Sequence, residues 1–345
     1  MEDPRGILEI AGKRIPPGKR MKIEIPIARL FDDTEMSMPV MVIRGRESGP
    51  VLFLSAAIHG DEINGVETIK RLLANKRINS KIKGTLIAMP IVNAYGFNSN
   101  SRYLPDRRDL NRCFPGSETG SLGGQIAHIL MREIIEKSTH GIDLHTGAIH
   151  RSNLPQIRAD LTDPETETLA KAFGVPVIID SNTRDGSLRQ AALEKGIPML
   201  LFEGGEALRY EEKVIQTALM GILSVMESIG MIAPKERKRR KRPENVYIAR
   251  TSYWVRAPHS GSLRVRVKLG AMVKEGQTLG VISDPYGSYM AKVKSHRTGI
   301  IIGMTMLPLL NQGDAMFHIA IFEDSEAVEE RLEDFDDALD LNDGR

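Results

Sequence analysis

The sequence predicts an α/β fold with a largely parallel, helix-covered sheet, followed by a small all-β segment. Three observations carry this expectation. Between about residues 40 and 230, short apolar runs alternate with stretches of helical period, the order that builds strand–helix–strand units. After residue 245 the helical period gives way to glycine-rich, alternating runs. The chain's 345 residues, 41% hydrophobic and 27% charged, suffice for one large domain or two ordinary ones with a sizeable core.

Taken in order, residues 1–39 are irregular, with one alternating stretch, Met21 to Ile27, that reads as a strand. In the unit from 40 to 234, Val51–Ile58, Gly84–Val92, Gly141–Leu144, Val175–Ile179 and Ile197–Phe202 are apolar runs bounded by turn residues, hence strands. Between them, Ile63–Leu73, Gln125–Ile135, Glu165–Phe173 and Leu188–Glu194 have helical spacing. A last helix, Glu211–Ser228, sets Val214, Ile215, Ala218, Leu219, Ile222 and Leu223 on one face that must be covered. Residues 245–322 carry a weak internal repeat. Ala257–Ile282 lies over Ser295–Ala320, with Gly261 matching Gly299 and Gly276 matching Gly313, which suggests a sandwich or barrel of two similar halves.

Charge separates the ends. The net +2 conceals −9 over residues 323–345, with eleven acidic residues against two arginines, so the preceding chain carries +11. Part of that excess is the run Lys235–Arg242 within a 235–244 linker, seven basic residues and one acidic. Such a run can bind phosphate backbones. No aromatic residue is interleaved and no nucleic-acid motif adjoins, so a solvated linker is the expectation, and the acidic tail is read as a solubilising end or its partner. The single cysteine, Cys113, excludes a disulfide framework and a Cys-based zinc finger. No apolar run approaches the ~20 residues of a membrane span and the first 25 residues are broken by charges, so neither a membrane anchor nor an export signal is expected and the cytoplasm is the default setting.

The chemistry gathers at strand ends, where open α/β sheets bind ligands. His59-Gly60-Asp61-Glu62 follows the 51–58 strand and can turn an imidazole and a carboxylate toward one point, both suitable zinc donors. A third donor is His145 in Asp143-Leu144-His145-Thr146-Gly147, at another strand end, with Asp143 on the same side as a possible orienting group. Between them, Arg102 to Gly116 (RYLPDRRDLNRCFPG) is too charged for a buried element. Its guanidinium groups, with Asn111 as a further donor, suit a carboxylate clamp, and an arginine near the metal can stabilise oxyanion charge. Glu203, directly after an apolar strand, is the better candidate for a general base and acid; Glu206 is expected in the following turn. Surface or core roles are expected of His128, His140, His150, His259, His296 and His318, and a buried hydrophobe of Cys113.

HGDE at 59–62, RDLNRCFPG at 108–116, DLHTG at 143–147 and FEGGE at 202–206, in that order, resemble the succinylglutamate desuccinylase/aspartoacylase family, a branch of the zinc carboxypeptidase-like hydrolases. The resemblance spans roughly residues 40–230. It implies a three-layer α/β/α sandwich with a mixed sheet, one Zn2+ per chain on His59, Glu62 and His145, and Glu203 as catalytic acid/base. It further implies Arg102 as the group that polarises the scissile carbonyl and Asn111 and Arg112 as holders of the substrate carboxylate. Arg107 and Arg108 compete for the arginine roles, and Arg189 is a further substrate contact. The implied activity is hydrolysis of the amide of a small N-acyl amino acid, with an N-acetylated diamino acid as one candidate, by a homo-oligomer. The 257–320 repeat resembles the biotinyl/lipoyl-carrier fold, but its hairpin, Ile282 to Ser288, lacks the lysine that a swinging arm needs. Two other functions compete: a zinc carboxypeptidase acting on peptides, and a non-catalytic module binding nucleic acid through the basic linker.

Overall fold

A computed structural model of the chain describes residues 8–78, 82–234 and 247–322, together with Val328 and Leu332. In order, its strands are β1 (Glu9–Ile10), β2 (Lys13–Arg14), β3 (Arg20–Arg29), β4 (Glu35–Arg44), β5 (Glu47–Ala56), β6 (Lys83–Met89), β7 (His140–Gly147), β8 (Arg151–Ala159), β9 (Val177–Asp180), β10 (Met199–Glu206) and β11 (Tyr247–Ala249). The C-terminal strands are β12 (Thr251–Arg256), β13 (Gly261–Val265), β14 (Met272–Val273), β15 (Thr278–Ser283), β16 (Met290–Lys294), β17 (Gly299–Thr305), β18 (Leu309–Leu310) and β19 (Ala315–Ile321). The helices are α1 (Asn64–Ala74), α2 (Ala94–Asn98), α3 (Leu122–Glu133), α4 (Pro164–Phe173), α5 (Leu188–Glu194) and α6 (Glu212–Ser228).

The central sheet is mixed. Its middle, β6-β5-β7-β10, is parallel, and antiparallel strands flank it: β4 and β3 on one side, β8 on the other. Strand alternation sends residues to opposite faces. Along β5, Phe53 joins a core with α3 and α5, while Leu52, Leu54 and Ala56 join a second core with α1, α4 and α6. Helices thus cover both faces. Val214, Ile215, Ala218 and Ile222 of α6 are buried as the periodicity requires, and Leu219 and Leu223 pack at its margin. Local chemistry sets the helix ends: Asp163 caps α4 through Thr166 N–H, with Pro164 just inside, and Ser187 caps α5 through Gln190 N–H.

Two strands of the central sheet depart from the sequence reading. β4 extends from Glu35, where an irregular segment was expected. β8 has no apolar run at all, because Arg151, Asn153, Gln156 and Arg158 are polar while Ile157 and Ala159 enter the core behind. Glu206, expected in the turn that follows the strand, is instead the last residue of β10, and His140 opens β7.

The 257–320 repeat is visible in the strand pairing. β13 pairs β15 as β17 pairs β19; β15 pairs β16 as β19 pairs β12; and the short strands cross over, β18 to β13 and β14 to β17. One of the two resulting sheets is not separate from the central one. β9 covers β8 only along Gln156–Ala159, so the Arg151–Asn153 edge is open, and β17 pairs there. The expected linker, 235–244, lies outside the described residues. Of the expected acidic tail, Val328 and Leu332 are described; they are helical and buried with Phe322, Ile300 and Val177. No described helix is long and apolar enough to cross a membrane.

Candidate metal centre and active site

The site lies beyond the carboxyl ends of β5, β7 and β10. After β5 the chain turns through Ala57, whose φ of +50° is a strained value for a residue with a side chain. Gly60 sits against the backbone of α2; a Cβ there would fall 2.0 Å from the Gly96 carbonyl carbon. This tight turn delivers His59 and Glu62 just before α1, while His145 stands on β7 itself.

Glu62 is the hub. Its Oε1 is 2.7 Å from His59 Nδ1 and its Oε2 is 2.8 Å from His145 Nδ1. Thr146 N–H donates to Oε2 at 3.0 Å, and the Arg102 guanidinium donates to Oε1 at 3.0 Å. The second nitrogen of each imidazole meets a carboxylate: His59 Nε2 lies 3.0 Å from Asp109 Oδ1, and His145 Nε2 lies 2.6 Å from Asp143 Oδ2. Ser55 Oγ donates to the other oxygen of Asp143 at 2.7 Å. All three donor residues are buried.

This set fits a divalent metal. One atom from each of His59, Glu62 and His145 lies within 4.8 Å of the others. Two imidazoles and a carboxylate are a donor set that catalytic zinc uses with a position left open, and a carboxylate on the far nitrogen is the usual means of fixing a ligand imidazole. Burial disfavours charge on Glu62, but His59 and His145 outweigh it and hold the carboxyl well below the usual range. Burial likewise opposes the imidazolium form of His145, and Asp143 and Glu62 overcome it, so its pKa lies well above the usual value. His59 is raised in the same way by Glu62 and Asp109 against its burial.

Of the other expected residues, Arg102 touches this centre and Glu203 is paired in register with His145. Arg102 forks between Glu62 and Asp109, at 3.0 Å from each. Asn111 is buried on a 3-10 turn anchored by Leu110, and its Oδ1 accepts from Leu188 N–H at 2.9 Å, tying that loop to the start of α5. Arg112 is exposed beside it and lies close to the Gly186 turn. Arg189, the second residue of α5, is buried, donates to Ser181 Oγ at 3.1 Å and the Asn182 carbonyl at 2.8 Å, and is lowered to about 10 by burial and by Arg158. Glu203 lies beside His145 in the β7–β10 register, on the same face. Asn153 Nδ2 donates to its Oε2 at 2.6 Å, and the Arg158 guanidinium sits 3.1 Å from Oε1.

Arg108 is not brought to this cluster. Its side chain is 60% exposed and pairs with Asp106 at 3.3 Å, because Leu104, Leu110 and Phe114 anchor the loop and turn 106–108 outward. Glu206 is engaged locally, accepting from His150 N–H at 3.0 Å. Cys113 is half-buried, with its thiol pushed up by that burial. Sequence reasoning did not assign Asp109, Ser55, Asn153 or Arg158. For Asp109 a signal exists: a ligand imidazole needs an acceptor on its other nitrogen, and this acid lies in the same loop as Asn111.

Comparison with known proteins is consistent with this geometry. Residues 48–229 match the sequence model of the succinylglutamate desuccinylase/aspartoacylase catalytic domain. The chain is 28% identical to an N-alpha-acetyl-L-2,4-diaminobutyric acid deacetylase of Halomonas elongata over 294 residues, 82% of this chain and 85% of that protein. It is 26% identical to a succinylglutamate desuccinylase of Pseudomonas aeruginosa over 158 residues, 43% and 46% of the two chains. Among solved structures it is similar to a succinylglutamate desuccinylase/aspartoacylase from Rhodobacter sphaeroides, with a TM-score of 0.78 at 24% identity over 88% of this chain and 95% of that one. It is equally similar to the product-bound ectoine utilization protein EutE (DoeB) from Ruegeria pomeroyi, with a TM-score of 0.78 at 23% identity over 89% and 97%. At these identities the structures share the fold.

Proposed function

The chain belongs to the succinylglutamate desuccinylase/aspartoacylase family, and from that premise we propose that it is a zinc-dependent hydrolase of the amide bond in a small N-acyl amino acid. The observation that carries the proposal is Glu62 between two imidazoles, with Glu203 beside His145 on the same face. In this reading His59, Glu62 and His145 hold one Zn2+ per chain. Zinc bound there supplies Lewis acidity, polarising the substrate carbonyl and making water a stronger acid.

The remaining steps fall to the protein's own groups. Glu203 takes a proton from the attacking water and returns it to the amine nitrogen as the C–N bond breaks, yielding a carboxylic acid and a free amine. Arg102 stabilises the negative charge that develops on the carbonyl oxygen. Asn111, Arg112 and Arg189 hold the substrate carboxylate. Asp109 and Asp143 orient the two imidazoles. The diaminobutyric acid deacetylase relative, which aligns over most of both chains, supports an N-acetylated diamino acid as the substrate class.

We read the C-terminal segment as a biotinyl/lipoyl-carrier-like fold without a carrier role. The exchanged pairing of its halves supports the likeness, and the hairpin from Asp284 to Tyr289 contains no lysine. A cytoplasmic homo-oligomer acting on a small molecule, without membrane or nucleic-acid partner, completes the reading.

The test is a screen of zinc-loaded protein against N-acetyl and N-succinyl amino acids and blocked dipeptides, scored by released amine. Turnover of an N-acyl amino acid is expected. A strong preference for peptides with a free C-terminus would replace the proposal by a carboxypeptidase.

A further inference from the structure

We infer that Asn153 positions Glu203, and that strand β17 holds Asn153 in place through Gly303, so the C-terminal β segment is part of the catalytic apparatus. The inference rests on the proposed acid/base role of Glu203 and concerns what fixes that carboxylate.

Four observations converge. First, Asn153 is buried on β8 and its Nδ2 donates to Glu203 Oε2 at 2.6 Å. The β8–β10 register slips between Glu203 and Gly205, and such an irregularity re-aims a side chain. Here it turns Asn153 back toward Glu203.

Second, both cross-strand partners of Asn153 are glycines: Gly205 on β10 and Gly303 on β17. A Cβ on Gly303 would fall 2.7 Å from Asn153 Oδ1 and 3.4 Å from His318 Cβ. The amide therefore occupies the space that a side chain at 303 would take.

Third, the row continues into the C-terminal segment. Gly303 is paired with His318 on β19, and His318 with Trp254 on β12. These rings stack with centroids 4.4 Å apart and planes 12° apart, and the Arg151 guanidinium lies 4.8 Å from the Trp254 ring centroid. His318 Nε2 is fixed at 2.9 Å from Ser252 Oγ. The wall beside Asn153 is thus a packed aromatic stack.

Fourth, Glu203 Oε1 is held from the other side by Arg158 at 3.1 Å. Asn153 and Arg158 together fix the orientation of the carboxylate before substrate arrives. A base displaced by about 1 Å can lose on the order of 100-fold in rate, so the orienting contact has kinetic consequences.

The experiment uses the full zinc-loaded chain and the N-acyl amino acid that it turns over fastest. Asn153→Ala is expected to lower kcat about 10- to 100-fold, with KM within about twofold and zinc content unchanged. Gly303→Ala is expected to lower kcat in the same way by displacing the amide. In the Asn153→Ala background, where that clash is gone, Gly303→Ala must fold and turn over like Asn153→Ala alone. Because Asn153 acts through Glu203, adding Asn153→Ala to Glu203→Gln must cause no further loss. Unchanged kcat in Asn153→Ala, a loss confined to KM, or a multiplied loss in the double variant with Glu203→Gln overturns the positioning role. Unchanged kcat in a folded Gly303→Ala overturns the link to β17. Full turnover by Glu203→Gln alone overturns the acid/base reading itself, a separate failure.

Discussion

Replacing Asp143 by Asn probes the metal centre without touching a ligand. The Asp143 carboxylate is buried, lies 2.6 Å from His145 Nε2, and accepts from Ser55 Oγ at 2.7 Å on its other oxygen. An amide keeps the shape and can still accept from the imidazole through its oxygen, while the Ser55 hydroxyl can rotate to accept from the new NH2 group. What is lost is charge. A hydrogen bond to a charged group is worth about 1.5–3 kcal/mol, against about 1 kcal/mol for a neutral one, so the change costs about 0.5–2 kcal/mol. That corresponds to a loss of roughly 2- to 30-fold in metal affinity, at the low side of the 10- to 100-fold typical of such orienting groups. Asp109→Asn should cost less, because that contact is longer at 3.0 Å, more exposed, and shared with Arg102. Competition for zinc against a fluorescent chelator measures both. Affinity within a factor of two of the parent protein for Asp143→Asn, or a larger loss for Asp109→Asn, would refute the assignment of Asp143 as the dominant orienting carboxylate.

Three further outcomes are expected. Glu203→Gln should retain its zinc while kcat falls by about 100- to 10,000-fold, measured as amine release under saturating substrate. Arg112→Ala, at an exposed position, should leave thermal stability unchanged and raise KM about 10- to 100-fold by removing a charged contact to the substrate carboxylate. His318 is depressed to about 3 by its burial and by Arg158, Arg151 and Arg184, so it stays neutral in the fold while the unfolded chain takes up its proton near pH 6.5. Its contribution to stability is therefore full above that value and lost as pH falls. Urea titrations should show about 1–2 kcal/mol less stability at pH 5 than at pH 7 from this residue, and His318→Gln should remove that increment.

The proposed metal ligands were legible in the sequence because each is tied to a strand end. HGDE follows the most apolar run in the chain, and DLHTG closes another, so two donor groups could be placed at one edge of a sheet without knowing its order. Asp143 was legible for the same reason, since residues two apart in a strand share a face. The partners of Glu203 were not. Asn153 and Arg158 lie on β8, whose site-facing residues are polar and whose middle is broken by Pro155, so no apolar alternation marked it as a strand. Their contact with Glu203 exists only through the β8–β10 register, which no local pattern encodes. The merging of the C-terminal strands into the central sheet was hidden likewise. The repeat at 257–320 marked two similar halves, but which sheet edge they meet depends on β9 leaving part of β8 uncovered. Within the Arg102–Gly116 loop the motif names the arginines, but Leu104, Leu110 and Phe114, buried in the same loop, set where each of them points, which no local pattern encodes.

In the proposed enzyme His59, Glu62 and His145 bind a single divalent ion. Metal content measured by elemental analysis on protein dialysed after zinc loading tests this most directly. About one equivalent per chain is expected for the unaltered protein, and near none for His145→Ala and Glu62→Gln that remain folded by circular dichroism. An unaltered protein that retains no zinc, or folded variants that retain as much as it does, would contradict it.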